Sequence, residues 1–221
     1  MKREIQLTAD GSHTLFIPEM DEHYHSVNGA IQESRHVFIE AGLKQLEKDS
    51  LRILEIGFGT GLNAFLTLQE IIEHPHKAIE YYSTELYPLE LSVIHELNYG
   101  ELIAAEHKEL FYALHEVEWD TDVKINNNFT IHKITGDNNI CPLPYSIDLI
   151  FFDAFAPDKQ PEMWSQSIFN KLYNLTNEGG VLTTYCAKGE VRRMMKEAGY
   201  SVERIPGPPG KREMLRARKV V

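Results

Sequence analysis

Short apolar runs alternate with segments of helical periodicity along most of this chain. Runs rich in apolar and β-branched residues predict strands at 51–56, 79–86, 129–134, 147–153, 181–186, 200–205 and 213–219. Helical spacing of apolar residues predicts helices from 62 to Pro75, from Pro88 to His95, over 163–175 and over 190–198. The run IDLIFFD at 147–153 is almost continuously apolar, which indicates a strand covered on both faces.

Alternating strands and helices imply a mostly parallel sheet with right-handed crossovers. The last two strands flank PGPPG with no helix between them, which predicts an antiparallel C-terminal edge. We therefore predict an α/β, Rossmann-like fold with a seven-stranded sheet over residues 51–221. Residues 1–50 are expected to form an N-terminal extension packed on the same domain, with a hairpin near Asp10-Gly11 and a helix from about Ile31 to Leu46.

A glycine-rich turn follows the first core strand in LEIGFGTG, at Gly57, Gly59 and Gly61. Glycine allows positive φ and lets a ligand lie directly against backbone, and the following helix N-terminus offers N–H groups. A dinucleotide fingerprint would have glycine where this chain has Leu62. The pattern led by Glu55 is similar to motif I of S-adenosylmethionine (AdoMet) methyltransferases, although the same glycines could merely shape the turn.

Acids stand at the carboxyl ends of three further predicted strands: Glu85, Asp137 and Asp153. In open α/β sheets, ligands bind at this edge. Glu85 could accept hydrogen bonds from both ribose hydroxyls, or be a surface acid. Asp137 could bind an adenine amino group, or belong to an ordinary Gly-Asp-Asn turn. Asp153 could orient an amine nucleophile and accept its proton, with Phe155 as a flat surface for a base.

Composition excludes several classes of protein. With 221 residues, 43% of them apolar and 25% charged, the chain can bury a core and is not of disordered composition. No apolar segment approaches the ~20 residues of a membrane helix, and the start is too polar for a secretory signal, so we expect no membrane and a cytoplasmic location. Cys141 and Cys186 predict no disulfide framework. The histidine pairs lack a third ligand at suitable spacing, so we expect no metal.

Charge is unevenly distributed along the chain. The net charge is −11, yet the last 36 residues contain ten basic and four acidic residues. This asymmetry can mark an anion-binding face on an acidic body, or be an ordinary solvated helix and strand.

Four sequence blocks together resemble the methyltransferase part of MnmC-type tRNA wobble-uridine modification enzymes. These blocks are HYHSVNGAIQESRHVFI, GFGTGLN, DAFAPDKQPEMW and VRRMMKEAGYSVERIPGPPGKREML. The resemblance implies AdoMet-dependent methylation of the amine of 5-aminomethyl-(2-thio)uridine in the tRNA anticodon. The candidates for contacts with the RNA phosphates are then Arg192, Arg193, Lys211 and Arg212. It also implies that Asp153 and Phe155 hold the substrate base, that Glu85 lines the cofactor, and that His25, Ser26 and Asn28 face the site. The glycine-turn residues implied to bind cofactor are Glu55, Gly57, Phe58, Gly59, Thr60, Gly61 and Asn63.

Many MnmC proteins are fusions with an FAD-dependent oxidase. This chain ends at Val221 without a second glycine fingerprint, so we expect it to carry out methyl transfer alone, with another protein supplying the aminomethyl intermediate. An alternative is an AdoMet-dependent transferase acting on a small amine or polyamine, akin to spermidine synthase. A non-enzymatic cofactor- or RNA-binding module is a third interpretation, which an intact Asp153 and glycine turn disfavour.

Overall fold

A computed structural model describes residues 2–220 of the chain. Its strands are β1 Glu4–Leu7, β2 His13–Ile17, β3 Glu22–His23, β4 Ser50–Ile56, β5 Ala78–Glu85, β6 Asp122–Asn126, β7 Phe129–Thr135, β8 Ile147–Phe152, β9 Thr176–Thr184, β10 Ser201–Pro206 and β11 Glu213–Arg218. Its α-helices are α1 Ala30–Ser34, α2 Leu62–Glu73, α3 Leu91–Ile94, α4 Tyr99–Ala104, α5 Lys108–Glu116, α6 Gln166–Leu175 and α7 Gly189–Ala198.

The large sheet has the strand order β10-β11-β9-β8-β4-β5-β7-β6. Its five central strands, β9 to β7 in that order, are parallel, whereas β11 and β10 form an antiparallel edge. The predicted Rossmann-like α/β fold is therefore confirmed. The sheet carries one further strand, β6, which pairs antiparallel with β7. Its sequence DVKIN alternates polar and apolar residues, but over only five positions with two apolar residues, and the prediction did not include it.

The sheet separates two apolar clusters, and β8 contributes to both of them. Every residue of β8 is buried, with Leu149 and Phe151 in one cluster and Ile150 and Phe152 in the other. This confirms the prediction of a strand covered on both faces. Because β4, β5, β7 and β8 are parallel neighbours, their carboxyl ends lie at one edge of this sheet.

The helices α2, α6 and α7 confirm the predicted helical segments, whereas the single helix expected over 31–46 is continuous only from residue 30 to residue 40. This region instead contains α1, a π-helical turn at Arg35–Glu40 and a 3-10 turn at Leu43–Gln45. At Gly42 the backbone is too closely packed for a side chain, because a Cβ there would lie 2.5 Å from the Phe38 carbonyl oxygen. The helix expected from Pro88 to His95 is reduced to α3, and α4 and α5 were not predicted.

The first strands form a separate three-stranded antiparallel sheet, β1-β2-β3. The predicted hairpin near Asp10-Gly11 is confirmed, with Leu7 paired to His13 and a φ of +82° at Gly11. Residues 2–50 also contact the main core through the π-helical turn, where the ring centroids of Phe38 and of Phe151 in β8 lie 5.1 Å apart. Throughout residues 2–220, each helix is too short or too polar to span a bilayer.

Candidate active site

The turn between β4 and α2 has a backbone that favours glycine. Gly57, Gly59 and Gly61 have φ values of +94°, +49° and +70°. A Cβ on Gly57 would lie 3.0 Å from the carbonyl oxygen of Asp153, so glycine here also lets the ends of β4 and β8 approach closely. Gly61 is the N-cap of α2, and no side chain within residues 2–220 caps that terminus. The N–H groups of the first helical turn therefore remain for a ligand.

Glu85 ends β5 and braces the glycine turn. Its Oε2 accepts a hydrogen bond from the Gly59 N–H at 2.9 Å, and its Oε1 accepts one from the Tyr87 N–H at 2.8 Å. Each carboxylate oxygen has a further lone pair. The carboxylate is thus held in a fixed orientation and keeps acceptor capacity for a ligand.

Asp137 lies just beyond β7, in the next loop of the same sheet edge. Its Oδ1 accepts hydrogen bonds at 2.8 Å from both the backbone and the side-chain nitrogen of Asn139. The neighbouring Asn138 is buried, and its Oδ1 has no partner among the described residues. A buried amide oxygen without a partner marks a place where a hydrogen-bond donor of a ligand would fit.

Asp153 directly follows β8 and is half-buried at this edge of the sheet. Its Oδ2 accepts a hydrogen bond from Asn63 Nδ2 at 2.8 Å. Burial raises the pKa of Asp153 to about 7, and the hydrogen bond from Asn63 opposes this increase. Asp153 is therefore far more basic than an exposed aspartate, which suits a group that accepts a proton or hydrogen bond from an amine.

Glu55 is fully buried beneath the glycine turn. Its Oε2 accepts a hydrogen bond from Ser83 Oγ at 2.6 Å on the neighbouring strand. Burial raises the pKa of Glu55 to about 8, so its carboxyl is largely protonated at neutral pH. The side chain supports the turn from below.

Two cavities adjoin at this edge of the sheet. The first, of about 270 Å³, has walls that include these residues predicted from the sequence: Gly57, Phe58, Gly59, Thr60, Asn63, Glu85, Asp137, Asp153 and Phe155. Glu55 and Gly61, also predicted, do not line it. The second cavity, of about 350 Å³, shares Tyr24, His25, Asp153, Ala154 and Phe155 with the first. Asp153 and Phe155 therefore stand where the two cavities meet.

The N-terminal segment contributes side chains to both cavities. Tyr24 packs edge-on against Phe155, with ring centroids 5.1 Å apart, and its hydroxyl accepts a hydrogen bond from Arg3 Nε at 3.2 Å. Ser26 lines the second cavity, whereas Asn28 lines neither. The residue patterns gave no reason to select Tyr24. Tyr24 belongs to the HYHSVNG block, which resembles the corresponding block of the family, and this resemblance is the signal that could have identified it.

A buried histidine, His25, and a half-buried one, His115, are held against Thr60 in the glycine turn. His25 Nε2 lies 2.8 Å from Thr60 Oγ1, and His115 Nε2 donates to the Thr60 carbonyl oxygen at 3.1 Å. Burial lowers the pKa of His25 to about 4 and that of His115 to about 3. Both rings are therefore neutral at physiological pH, and they position the turn without adding positive charge.

The predicted basic residues are distributed over different places. Lys211 lies in the second cavity, where its Nζ is 2.8 Å from Glu33 Oε1. Arg192 and Arg193 lie on α7, and Arg212 is exposed in the loop between β10 and β11. Lys211 therefore lines a cavity, whereas the three arginines line neither cavity.

A group of possible metal-ligating atoms lies elsewhere, at the end of α2. Ligand atoms of Glu70, Glu73 and His74 lie within 4.8 Å of one another. Glu73 and His74 are exposed, and exposed acidic groups of this kind are common on protein surfaces. This group lies outside both cavities.

Comparison with known proteins gives consistent matches. The profile of a family described as S-adenosyl-L-methionine-dependent methyltransferase matches residues 101–220. The bifunctional protein MnmC of Pseudoalteromonas atlantica, named for tRNA 5-methylaminomethyl-2-thiouridine biosynthesis, is 30% identical over 96% of this chain and 33% of its own length. Its counterpart in a Marinomonas species is 28% identical over 89% of this chain and 31% of its own length. The chain spans about a third of the length of these relatives.

Solved structures agree with these matches. The crystal structure of MNMC2 from Aquifex aeolicus superimposes with a TM-score of 0.83 at 27% identity, covering 100% of this chain and 72% of that one. Spermidine synthase from Thermotoga maritima has a TM-score of 0.52 at 9% identity, covering 98% of this chain and 78% of that one, and shares the fold alone. The resemblance to MnmC proteins drawn from the sequence motifs is confirmed. The chain belongs to the family of S-adenosyl-L-methionine-dependent methyltransferases.

Proposed function

We propose that this protein transfers a methyl group from AdoMet to the primary amine of 5-aminomethyl-(2-thio)uridine at the wobble position of tRNA. The observation that carries the proposal is that Asp153 and Phe155 line two adjoining cavities at once. One cavity then accepts the cofactor and the other the modified base, with the reacting groups meeting at Asp153. The relatives named for 5-methylaminomethyl-2-thiouridine biosynthesis supply the identity of the base.

The first cavity suits AdoMet in shape and chemistry. Glu85, anchored by two backbone N–H groups, keeps lone pairs for the two ribose hydroxyls. Asp137 and the unpartnered oxygen of Asn138 offer acceptors for the adenine amino group. Gly57 to Asn63 present backbone and the helix N-terminus to the amino-acid portion. Glu55 and Gly61 act indirectly, since they shape the turn without lining the cavity.

AdoMet, when bound, supplies an electrophilic methyl group on a sulfonium sulfur. The contribution of the protein is to hold the amine of the base in line with that methyl group. Asp153 accepts a hydrogen bond from one amine N–H, which directs the nitrogen lone pair toward the first cavity, and can take the proton that the amine loses after alkylation. Positioning of this kind can account for ~7–11 kcal/mol of a barrier.

Phe155 and Tyr24 provide the aromatic surface for the base. Phe155 lies in a loop that is fixed by a hydrogen bond from Trp164 Nε1 to the Phe155 carbonyl oxygen at 2.7 Å. An unstacked base gains ~1–3 kcal/mol from stacking on such a side chain. A fixed Phe155 thus presents the C5 substituent of the base to Asp153 without requiring the loop to reorganise.

Basic residues outside the cavities are proposed to contact tRNA phosphates. Arg193 and Arg212 are exposed, and Arg192 lies beside Arg193 on α7. Replacing Arg192 and Arg193 by glutamine should raise the KM for tRNA and reduce its salt dependence, with kcat unchanged. If the variant and the wild type have the same KM for tRNA at every salt concentration, these arginines do not contact the tRNA.

The central test uses labelled AdoMet with two pools of tRNA, one with the 5-aminomethyl group already in place and one without it. Label recovered in 5-methylaminomethyl-(2-thio)uridine from the first pool supports the proposal. Unlabelled tRNA in the second pool supports the expectation that a separate activity supplies the amine. Asp153→Ala should abolish labelling, while the matched variant Asp158→Ala, in the same loop but lining neither cavity, should retain it.

Absence of tRNA labelling by a protein that binds AdoMet would refute the tRNA assignment. Labelling of free small amines in the same assay would then identify a small-amine transferase. The aminomethyl group on tRNA and a free polyamine present the same nucleophile, so only the macromolecular context differs between these two outcomes.

A further inference from the structure

The second cavity contains an ion pair that the methyl-transfer chemistry does not require. Lys211 Nζ lies 2.8 Å from Glu33 Oε1, and both residues line the cavity together with Asp153 and Phe155. Lys211 comes from the loop between β10 and β11, and Glu33 from α1. Distant parts of the chain therefore place one cation and one anion side by side in the cavity.

Both members of the pair are held in place by further contacts. The Glu33 side chain is 9% exposed, and its Oε2 accepts a hydrogen bond from the Ser26 N–H at 2.8 Å. The ammonium of Lys211 lies 3.9 Å from the centre of the Tyr185 ring. Tyr185 is itself fixed, since its hydroxyl donates to the Ala154 carbonyl oxygen at 2.8 Å. The pair is thus a preorganised donor and acceptor next to the reacting group.

Burial of the Glu33 carboxylate makes this pair a weak source of stability by itself. Removing a carboxylate from water costs several kcal/mol, which a single partner seldom recovers beyond what an apolar contact would provide. A half-buried donor beside a buried acceptor instead suits recognition of a ligand edge with the opposite order of groups. An ammonium can only donate, and an ionised carboxylate can only accept.

We propose that Lys211 and Glu33 recognise the imide edge of the uracil ring and restrict the site to uridine. This inference rests on the proposed function. Lys211 donates to the O4 carbonyl, and Glu33 accepts the N3–H. Cytosine has an amino group in place of O4 and a bare lone pair at N3. Each contact would then set donor against donor or lone pair against lone pair.

The position of the pair relative to Asp153 agrees with the chemistry of the base. Asp153, Glu33 and Lys211 all line the second cavity, and there Glu33 raises the pKa of Asp153 whereas Lys211 lowers it. In uracil the C5 substituent is attached next to C4. A base whose O4 meets Lys211 therefore directs its aminomethyl group to the same side, toward Asp153.

The test compares anticodon stem-loops that carry either 5-aminomethyluridine or 5-aminomethylcytidine at the wobble position. Wild-type protein should prefer uridine by ~100-fold or more in kcat/KM, because a polar site strongly rejects a mismatched analogue. Glu33→Gln should reduce that preference by ~10-fold or more, since its amide can donate to N3 of cytosine. Lys211→Met should mainly lower kcat/KM for uridine, and Lys211→Arg should recover part of it.

Lys44→Met is the matched control, because it removes the cation of a lysine–glutamate pair that lies outside both cavities. It should leave the uridine preference unchanged. Thermal unfolding of each variant separates loss of the fold from loss of recognition. Variants that lose stability but keep the wild-type uridine preference would show that the pair is merely a brace between α1 and the β10–β11 loop.

The outcome for the wild-type protein distinguishes this inference from the proposed function. Equal methylation of both stem-loops would overturn the inference and leave the function standing. No methylation of the uridine stem-loop would overturn the function itself, and the inference with it.

Discussion

Replacement of Asn63 by alanine should move the pH dependence of activity, because this side chain stabilises the ionised form of Asp153. The hydrogen bond from Asn63 Nδ2 to Asp153 Oδ2 is 2.8 Å long and partly offsets the effect of burial, which raises the pKa of Asp153 to about 7. Hydrogen bonds to charged groups contribute ~1.5–3 kcal/mol, and each pKa unit corresponds to ~1.4 kcal/mol. Loss of the donor should therefore raise this pKa by about one to two units.

The sign follows from the role of the carboxylate. If the ionised form of Asp153 accepts a hydrogen bond from the amine, activity is lost as the pH falls through this pKa. With the pKa raised to about 8 or 9, the ionised fraction at pH 7 falls from about a half to roughly a tenth or a hundredth. Asn63→Ala should thus be about 5- to 50-fold less active than wild type at pH 7, and the deficit should shrink to about twofold or less at pH 9.

The assay is kcat/KM for tRNA methylation from pH 6 to 9.5, expressed as the ratio of variant to wild type. This quantity reports groups of the free enzyme, and the ratio cancels titration of the substrate amine. Asn177→Ala is the matched control, since Asn177 donates to Asp148 at 2.9 Å and neither residue lines a cavity. A ratio for Asn63→Ala that is constant across the pH range would refute the reasoning, whatever the size of the deficit.

Three further predictions concern the cofactor cavity and the buried acids. Gly57→Ala should weaken AdoMet binding ~10-fold or more, as measured by calorimetry, because a Cβ does not fit in this turn. Gly11→Ala is the control, since Gly11 has a similar φ but open space around it, and AdoMet affinity should not change. Equal AdoMet affinities of the two variants would contradict the argument that Gly57 is closely packed. Glu85→Gln should raise the AdoMet Kd by ~10-fold or more relative to exposed Glu80→Gln on the same strand, and equal Kd values would remove Glu85 from the site. Burial raises the pKa of Glu55 from 4.5 to about 8, so between these pH values the folded state holds a proton that the unfolded state has lost, and stability falls as pH rises. Glu55→Gln should reduce this decline of ~1.4 kcal/mol per pH unit in the free energy of unfolding, measured by denaturant titration at several pH values. If the free energy of unfolding of the variant changes with pH as steeply as that of wild type, Glu55 is not the group responsible.

The sequence alone predicted the parts of the site that depend on local order along the chain. Gly57, Glu85, Asp137 and Asp153 each follow a strand with a clear apolar pattern. Parallel strands bring their carboxyl ends to one edge, so the prediction that these residues meet needed no coordinates. The structure places all four in the walls of the first cavity.

The elements that were not predicted from the sequence bury few of their residues. In α5, Phe111 and Leu114 are buried but stand among charged and half-buried residues, and in β6 no residue is fully buried. The helix expected over 31–46 is interrupted for a different reason. The backbone at Gly42 packs against Phe38 and Phe151, a contact between segments that local periodicity cannot report.

The surroundings of Asp153 could not be predicted from the sequence, because they depend on how distant segments pack. Folding places Tyr24 against Phe155, Asn63 against Asp153, and Lys211 against Glu33, although the members of the last pair are 178 residues apart. The raised pKa of Asp153 likewise results from burial by these distant segments. Local sequence determines which side chains stand at strand ends, because strand and turn patterns are short-range. Desolvation and the pairing of charges depend on every segment that packs nearby, so they exist only once the chain has folded.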